Sequence, residues 1–211
     1  MLQEFLTNCP LLEKFTWIRD DQQIELNESE LVELFKCLPS VQVLEISQLY
    51  IKRLASGSNS MPHKLPISLP RLRILDLCVC FLELSTVLRV ICSSPNLEKI
   101  KVKMCWDHNG KCLQQTFNNV PDIQDHSGLN LDHLKEMEIT SFCDWGSWME
   151  FVKFVMAKSP VLKKARIELS YHLSVDEELK MLRDLLEMPF PRASPSAKFT
   201  IERRKAIKIK F

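Results

Sequence analysis

One phrase recurs through this sequence, Pro-x-Leu-x-x-φ-x-φ with φ apolar, and it constrains the fold more than any other feature. It reads PLLEKFTW from Pro10, PSVQVLEI from Pro39, PRLRILDL from Pro70, PNLEKIKV from Pro95 and PVLKKARI from Pro160, and DHLKEMEI from Asp132 lacks only the proline. Successive copies start 29, 31, 25, 37 and 28 residues apart. The longer intervals carry polar stretches at 54–66 and 106–128 with the Gly, Asn and Pro content of loop insertions. Within a copy the apolar positions fall at +2, +5 and +7 from the proline, and the last two alternate with polar neighbours as a short strand does. Between copies the period turns helical: Leu31, Leu34, Phe35 and Leu38 share one helical face, as do Trp148, Phe151, Val152, Val155 and Met156.

A strand-helix unit that repeats requires parallel strands, because antiparallel neighbours need hairpins and no strong hairpin dipeptide links these strands. With a period near the ~20–29 residues of leucine-rich repeats, the predicted fold is α/β, a leucine-rich-repeat solenoid with parallel strands on the concave face and helices on the convex face. Such units bury their apolar faces only by stacking, each enclosed aliphatic side chain contributing ~1.5–3 kcal/mol. Ser147 with Glu150, Ser174 with Glu177 and Asn27 with Glu30 have capping-box spacing and predict helix starts. Leu2–Leu6 reads as a helix end, Val175–Met188 as a helix, and Ala197, Phe199 and Ile201 as a closing strand.

Composition narrows the function classes. Forty-five per cent hydrophobic and 26% charged residues describe a folding chain, and a net charge of +1 supplies no global field for nucleic acid. No run approaches the ~18 apolar residues of a membrane span, and Glu4 stands where a secretory leader is basic. Eight cysteines in a chain with a large apolar core are expected as free thiols in a reducing, intracellular setting, cytoplasmic or nuclear. Four glycines, at 57, 110, 128 and 146, rule out a Gly-rich phosphate loop or a dinucleotide fingerprint.

The last third resembles the FBD module of plant F-box/LRR/FBD proteins, through LKEMEI from Leu134, MEFVKFVMAKSPVLKK from Met149 and FPRASPSAKFTI from Phe190, with Arg192-Ala193-Ser194-Pro195 the most specific phrase. ICSSPNLEKIKV from Ile91 is similar to a repeat of the same family. The resemblance divides the chain into leucine-rich repeats over 1–124 and an FBD-like end over 125–211. It implies a protein-binding module, the substrate-recognition part of an SCF ubiquitin-ligase receptor, with no catalytic residue or cofactor. A Skp adaptor is expected only where an F-box lies upstream, and Met1 opens inside a repeat without the Leu-Pro-x-Glu phrase of an F-box. A truncated paralogue acting as decoy or scaffold is the alternative.

Chemical motifs are sparse. Cys105, His108 and Cys112, with His126, have short spacings but not the four-ligand pattern of structural zinc, so no metal is expected. Cys78 and Cys80 point to the concave face of the third strand as solvent-side or partner-contacting thiols, since a redox motif would want a two-residue spacer. Trp148 belongs to a core stripe, while Trp145 beside it is a possible exposed anchor. Lys198, Arg203, Arg204, Lys205, Lys208 and Lys210 make a basic tail that reads as a lysine-guarded edge strand, with RNA contact or a nuclear address as the other reading. Position +6 of the copies runs Thr16, Glu45, Asp76, Lys101, Glu138, Arg166, alternating in sign from Asp76. Opposite charges on neighbouring strands can pair as a self-neutralising ladder. A mixed face suits a protein partner rather than a phosphate backbone. The candidate partner-binding residues are Lys99, Lys101, Lys103, Asp76, Glu138 and Arg166.

Overall fold

A computed structural model describes residues 2–17, 28–55, 65, 67–79, 83–105, 129–143, 146–171, 173–187 and 193–203. Among them seven strands make one wholly parallel sheet in sequence order: β1 (Lys14–Trp17), β2 (Val43–Ile46), β3 (Ile74–Val79), β4 (Lys99–Met104), β5 (Glu136–Phe142), β6 (Lys164–Leu169) and β7 (Lys198–Arg203). Helix α1 (Leu2–Thr7) precedes β1. The crossovers carry α2 (Glu28–Lys36), α3 (Gln48–Ala55), α4 (Leu84–Cys92), α5 (Ser147–Lys158) and α6 (Val175–Glu187). Parallel crossovers between successive neighbours share one hand, which sends the connecting helices to the same side of a sheet. The fold is therefore α/β with a seven-stranded parallel sheet.

Each copy of the phrase closes the same turn. The carbonyl before the proline accepts the +2 N–H, from Leu12 to Cys9 (3.0 Å), Val41 to Leu38 (3.3 Å), Leu72 to Leu69 (3.2 Å), Leu97 to Ser94 (3.3 Å), Leu134 to Leu131 (3.1 Å) and Leu162 to Ser159 (3.3 Å). Proline is at home at the second position of such a turn because its ring fixes φ near the value required. The next two N–H groups then share one carbonyl of the preceding copy: Arg73 and Ile74 both donate to Gln42, and Glu98 and Lys99 both donate to Arg73. Lys163 and Lys164 do the same toward Lys135.

Residues 194–197 form a seventh turn that the phrase did not reveal. Ala197 N–H donates to Ser194 (3.3 Å), but Lys198 alone then donates to Lys163 (2.9 Å), because this copy is one residue shorter between turn and strand. The shortening brings Phe199 opposite Ala165 and Ile201 opposite Ile167, so the closing strand keeps its apolar residues on the core side.

One sheet face is core. Leu44, Leu75, Ile100, Met137 and Ala165, then Ile46, Leu77, Val102, Ile139 and Ile167, are buried in two rows across the strands. Leu34, Ile51, Val87, Trp148, Phe151, Val155 and Met181 from the helices join them in a continuous cluster. Trp148 is fully buried and meets Phe151 edge-on, centroids 5.4 Å apart, as its place on the helical stripe predicts. β5 needs an extra residue to stay in phase: pairing with β6 shifts between Ile139 and Phe142, and Ser141 takes φ 59° there. That bulge returns Phe142 to the core, fully buried opposite Leu169.

Serine before proline has a structural use. Ser94 and Ser159 hydroxyls donate to the Val90 and Val155 carbonyls (2.8 and 2.6 Å), adding a side-chain donor to the last turn of each helix, where carbonyls lack the next intrahelical N–H. Ser194 instead donates to Leu162 (2.7 Å), tying the seventh turn to the sixth. Buried Arg89 on α4 donates through Nη1 to the Leu54 carbonyl at the end of α3 (3.2 Å), a cation where the helix dipole favours one.

Three expectations are corrected. The insertion drawn from Leu54 begins later, since Leu54 is fully buried as part of α3; the apolar face outweighs the polar run that follows it. Ser147 is not a capping residue: Gly146 occupies the N-cap, and Glu150 pairs with Lys153 instead. The box at Ser174 does form: Glu177 N–H donates to Ser174 Oγ (3.3 Å), and Ser174 N–H donates back to Glu177 Oε2 (2.8 Å). The third correction concerns cysteine, because Cys78 is joined to Cys105 by a disulfide rather than standing as a solvent-side thiol. Asn27, Cys80, His108, Cys112, His126, Trp145, Arg192, Arg204, Lys205, Lys208, Lys210 and the insertion 106–128 lie outside the described residues.

Candidate partner-binding face

The second face of the sheet is half exposed and largely polar. Because side chains alternate along each strand, residues at the same position of the repeat line up across copies on one face, and the strand register fixes who meets whom. Asp76, Lys101, Glu138 and Arg166 are consecutive partners across β3, β4, β5 and β6, the alternating row that the sequence predicts. Lys99, Glu136, Lys164 and Lys198 form a parallel row one step toward the turns.

Most of these charges are engaged with one another. Lys101 pairs with Asp76 (3.3 Å), and Lys99 with Glu136. Arg166 is a hub, its guanidinium reaching Glu138 (2.5 Å), Glu202 (3.0 Å) and Glu168 (3.1 Å). The planar fork of arginine, with five N–H donors, can serve several carboxylates at once. Hydrogen bonds that Arg166 donates to Glu202 and then to Glu138 hold its proton more firmly than usual. Lys99 bonds Glu136 and keeps its carboxyl below the ordinary carboxylate range, and Arg166 does so for Glu202. Thr16 Oγ1 donates to Glu45 (3.3 Å) at the other end of the row.

The structure thus brings all six candidates onto one face, but divides them. Lys99 and Lys101, both candidate contacts, are largely neutralised by carboxylates on adjacent strands. Lys103 is exposed opposite Cys78 and Thr140 and has no ion pair among the described residues. Lys198 joins Lys164 at the exposed end of the row, a neighbour missed because the shorter seventh copy was not recognised as one.

A cleft of about 450 Å³ lies at the turn end of the strands, lined by Gln42, Pro70, Arg71, Arg73, Asn96, Glu98 and His133. Glu98 bridges its neighbours there, meeting Lys135 (2.6 Å) and Arg73 (3.2 Å), and the Lys135 hydrogen bond pulls its carboxyl below the usual range. The +3 residues Gln42, Arg73, Glu98 and Lys135 form a row as regular as the +6 row, so aligning that column of the repeat would have exposed the cleft. Among the described residues no cluster of three His, Cys, Asp or Glu side chains is placed to hold a metal. No helix among them is long and apolar enough to cross a membrane.

Residues 130–167, which cover β5, α5 and the first four residues of β6, match the FBD family model; the match ends before the Arg192–Pro195 phrase. An F-box/FBD/LRR-repeat protein of Arabidopsis thaliana is 27% identical across 92% of the chain, and the chain spans about half (47%) of that relative's length. The FBD match and this relative together support a plant F-box/FBD/LRR-type protein.

Proposed function

We propose that the chain is a leucine-rich-repeat solenoid that holds a protein partner on the exposed face of its sheet, as the substrate-recognition part of a ubiquitin-ligase receptor. The observation that carries this reading is the ordered row Asp76, Lys101, Glu138, Arg166 with its flanking lysines. Alternating charge on a rigid parallel sheet selects a partner of complementary pattern, whereas a polyanion would call for one sign throughout. The role is binding and not catalysis, and the setting is intracellular, where the longer receptor would recruit a Skp adaptor through an F-box.

Affinity capture from plant extract, followed by rebinding of each captured protein in purified form, tests the reading. Charge reversal at Lys101 and Lys103 should abolish rebinding of a specific partner while circular dichroism shows the fold intact. Unchanged rebinding by the folded double variant would place the contact elsewhere.

A further inference from the structure

We propose that Cys78 and Cys105 form a reversible thiol-disulfide site on the candidate binding face, oxidised by a peroxide and reduced by glutathione. Cys78 is on β3, and Cys105 follows the last residue of β4 with the same alternation as Lys101 and Lys103, so both face the exposed side. Their Cα atoms are 6.4 Å apart, within the span that a disulfide bridges without backbone movement.

The fold does not need this link as a staple. β3 and β4 are already in register along six residue pairs, from Ile74 with Lys99 to Val79 with Met104, and the core beneath them is fully buried. Cys9 and Cys37 remain thiols, unlike the paired cysteines of a scaffold built for an oxidising compartment. Both linked cysteines are half exposed, so small oxidants and reductants reach them. Lys103 stands directly opposite Cys78 in the register and has no ion pair among the described residues. An ammonium in that position favours the thiolate, the form that attacks peroxide.

The chemistry balances with one oxidant. The Cys78 thiolate attacks a peroxide oxygen and breaks the O–O bond, giving a sulfenic acid and, after protonation, water. The Cys105 thiol then attacks the sulfenic sulfur, forms the S–S bond and releases a second water. Two glutathione thiols reverse it, leaving oxidised glutathione and both cysteines reduced. Oxidation would tether the chain where it leaves β4, beside the Asp76–Lys101 pair, and so regulate the face proposed above for partner binding. That consequence rests on the proposed function, while the thiol chemistry is read without any partner and stands or falls separately.

The experiment uses the full chain, reduced, then treated with hydrogen peroxide, alkylated and analysed by peptide mass. The expected product is one linked peptide pair joining Cys78 to Cys105, lighter by two hydrogens and restored to two alkylatable thiols by millimolar glutathione. Cys78→Ser should lose the link, and Cys105→Ala should lose it equally. Alkylation of both cysteines after peroxide, or a link that survives glutathione in the native chain, would overturn the proposal.

Discussion

Asp132→Pro should stabilise the protein, and the size of the gain follows from the turns. Six of the seven turns have proline at their second position, and Asp132 occupies it in the remaining one. The Leu134 to Leu131 hydrogen bond, at 3.1 Å, lies within the 3.0–3.3 Å range of the other six, so the backbone already holds the geometry that proline prefers. Asp132 is exposed, and among the described residues its side chain makes no hydrogen bond or ion pair that the change would remove. The gain is then the entropy that proline removes from the unfolded chain, about 0.4–1 kcal/mol. For a chain of this length that shifts the thermal midpoint upward by about 1–4 °C. Urea titration should show a higher midpoint with an unchanged slope, since neither state changes its exposed surface. Pro70→Ala is the reverse perturbation and should lose a similar amount. A loss of 1 kcal/mol or more in Asp132→Pro would refute the equivalence of this turn with the others, and with it the claim that Asp132 opens a true copy of the repeat.

Phe151→Ala removes a fully buried ring packed edge-on against Trp148, and should cost about 3–5 kcal/mol by urea unfolding; a cost under 1 kcal/mol would place Phe151 outside the cooperative core. Acid should weaken the fold through Glu98 and Glu136, whose carboxyls are held below their ordinary value of 4.5 by Lys135 and Lys99 respectively. A depressed carboxylate stabilises the folded state above its unfolded value, and that contribution is lost as pH falls from 4.5 through the lower folded value. Stability measured from about pH 5 downward should therefore fall less steeply in Lys99→Met/Lys135→Met, and in high salt, which screens such exposed pairs; identical slopes would detach these lysines from the acid response.

How much of this could be read from the sequence depends on the distance over which the controlling contact acts. The turn, the strand and the buried set Leu72, Leu75 and Leu77 are legible because one short phrase fixes them, and burial enforces the same spacing in every copy. The seventh copy escapes the pattern because Ala197 replaces leucine and one residue is missing before Lys198. Its geometry becomes visible only through the carbonyl of Lys163 that receives it. The charge alternation was legible because register follows from aligned turns. What each charge does was not, since Arg166 joins Glu138 and Glu202 by reach onto two neighbouring strands while also holding Glu168 on its own. Cys78 and Cys105 lie 27 residues apart and meet because β3 and β4 are adjacent, which no local spacing encodes.

The pairing within the row also bears on where a partner would gain free energy under the proposed reading. A group that displaces Glu138 or Glu202 from Arg166 exchanges one ion pair for another, and exposed exchanges of that kind are worth little, ~0–1 kcal/mol. The centre of the row is therefore suited to rejecting partners of the wrong pattern, because an unmatched charge there faces a carboxylate or cation already in place. Net attraction is available where the ladder is open: at exposed Lys103, and at Lys164 and Lys198, which stand side by side on β6 and β7. Val43 and Ile74, adjacent and half exposed in the same row as Lys99, add apolar area between the charged positions. An acidic segment lying along the +4 row from β2 to β7 would meet apolar contacts first and then cations, and its affinity should depend more on Lys164 and Lys198 than on the neutralised Lys99.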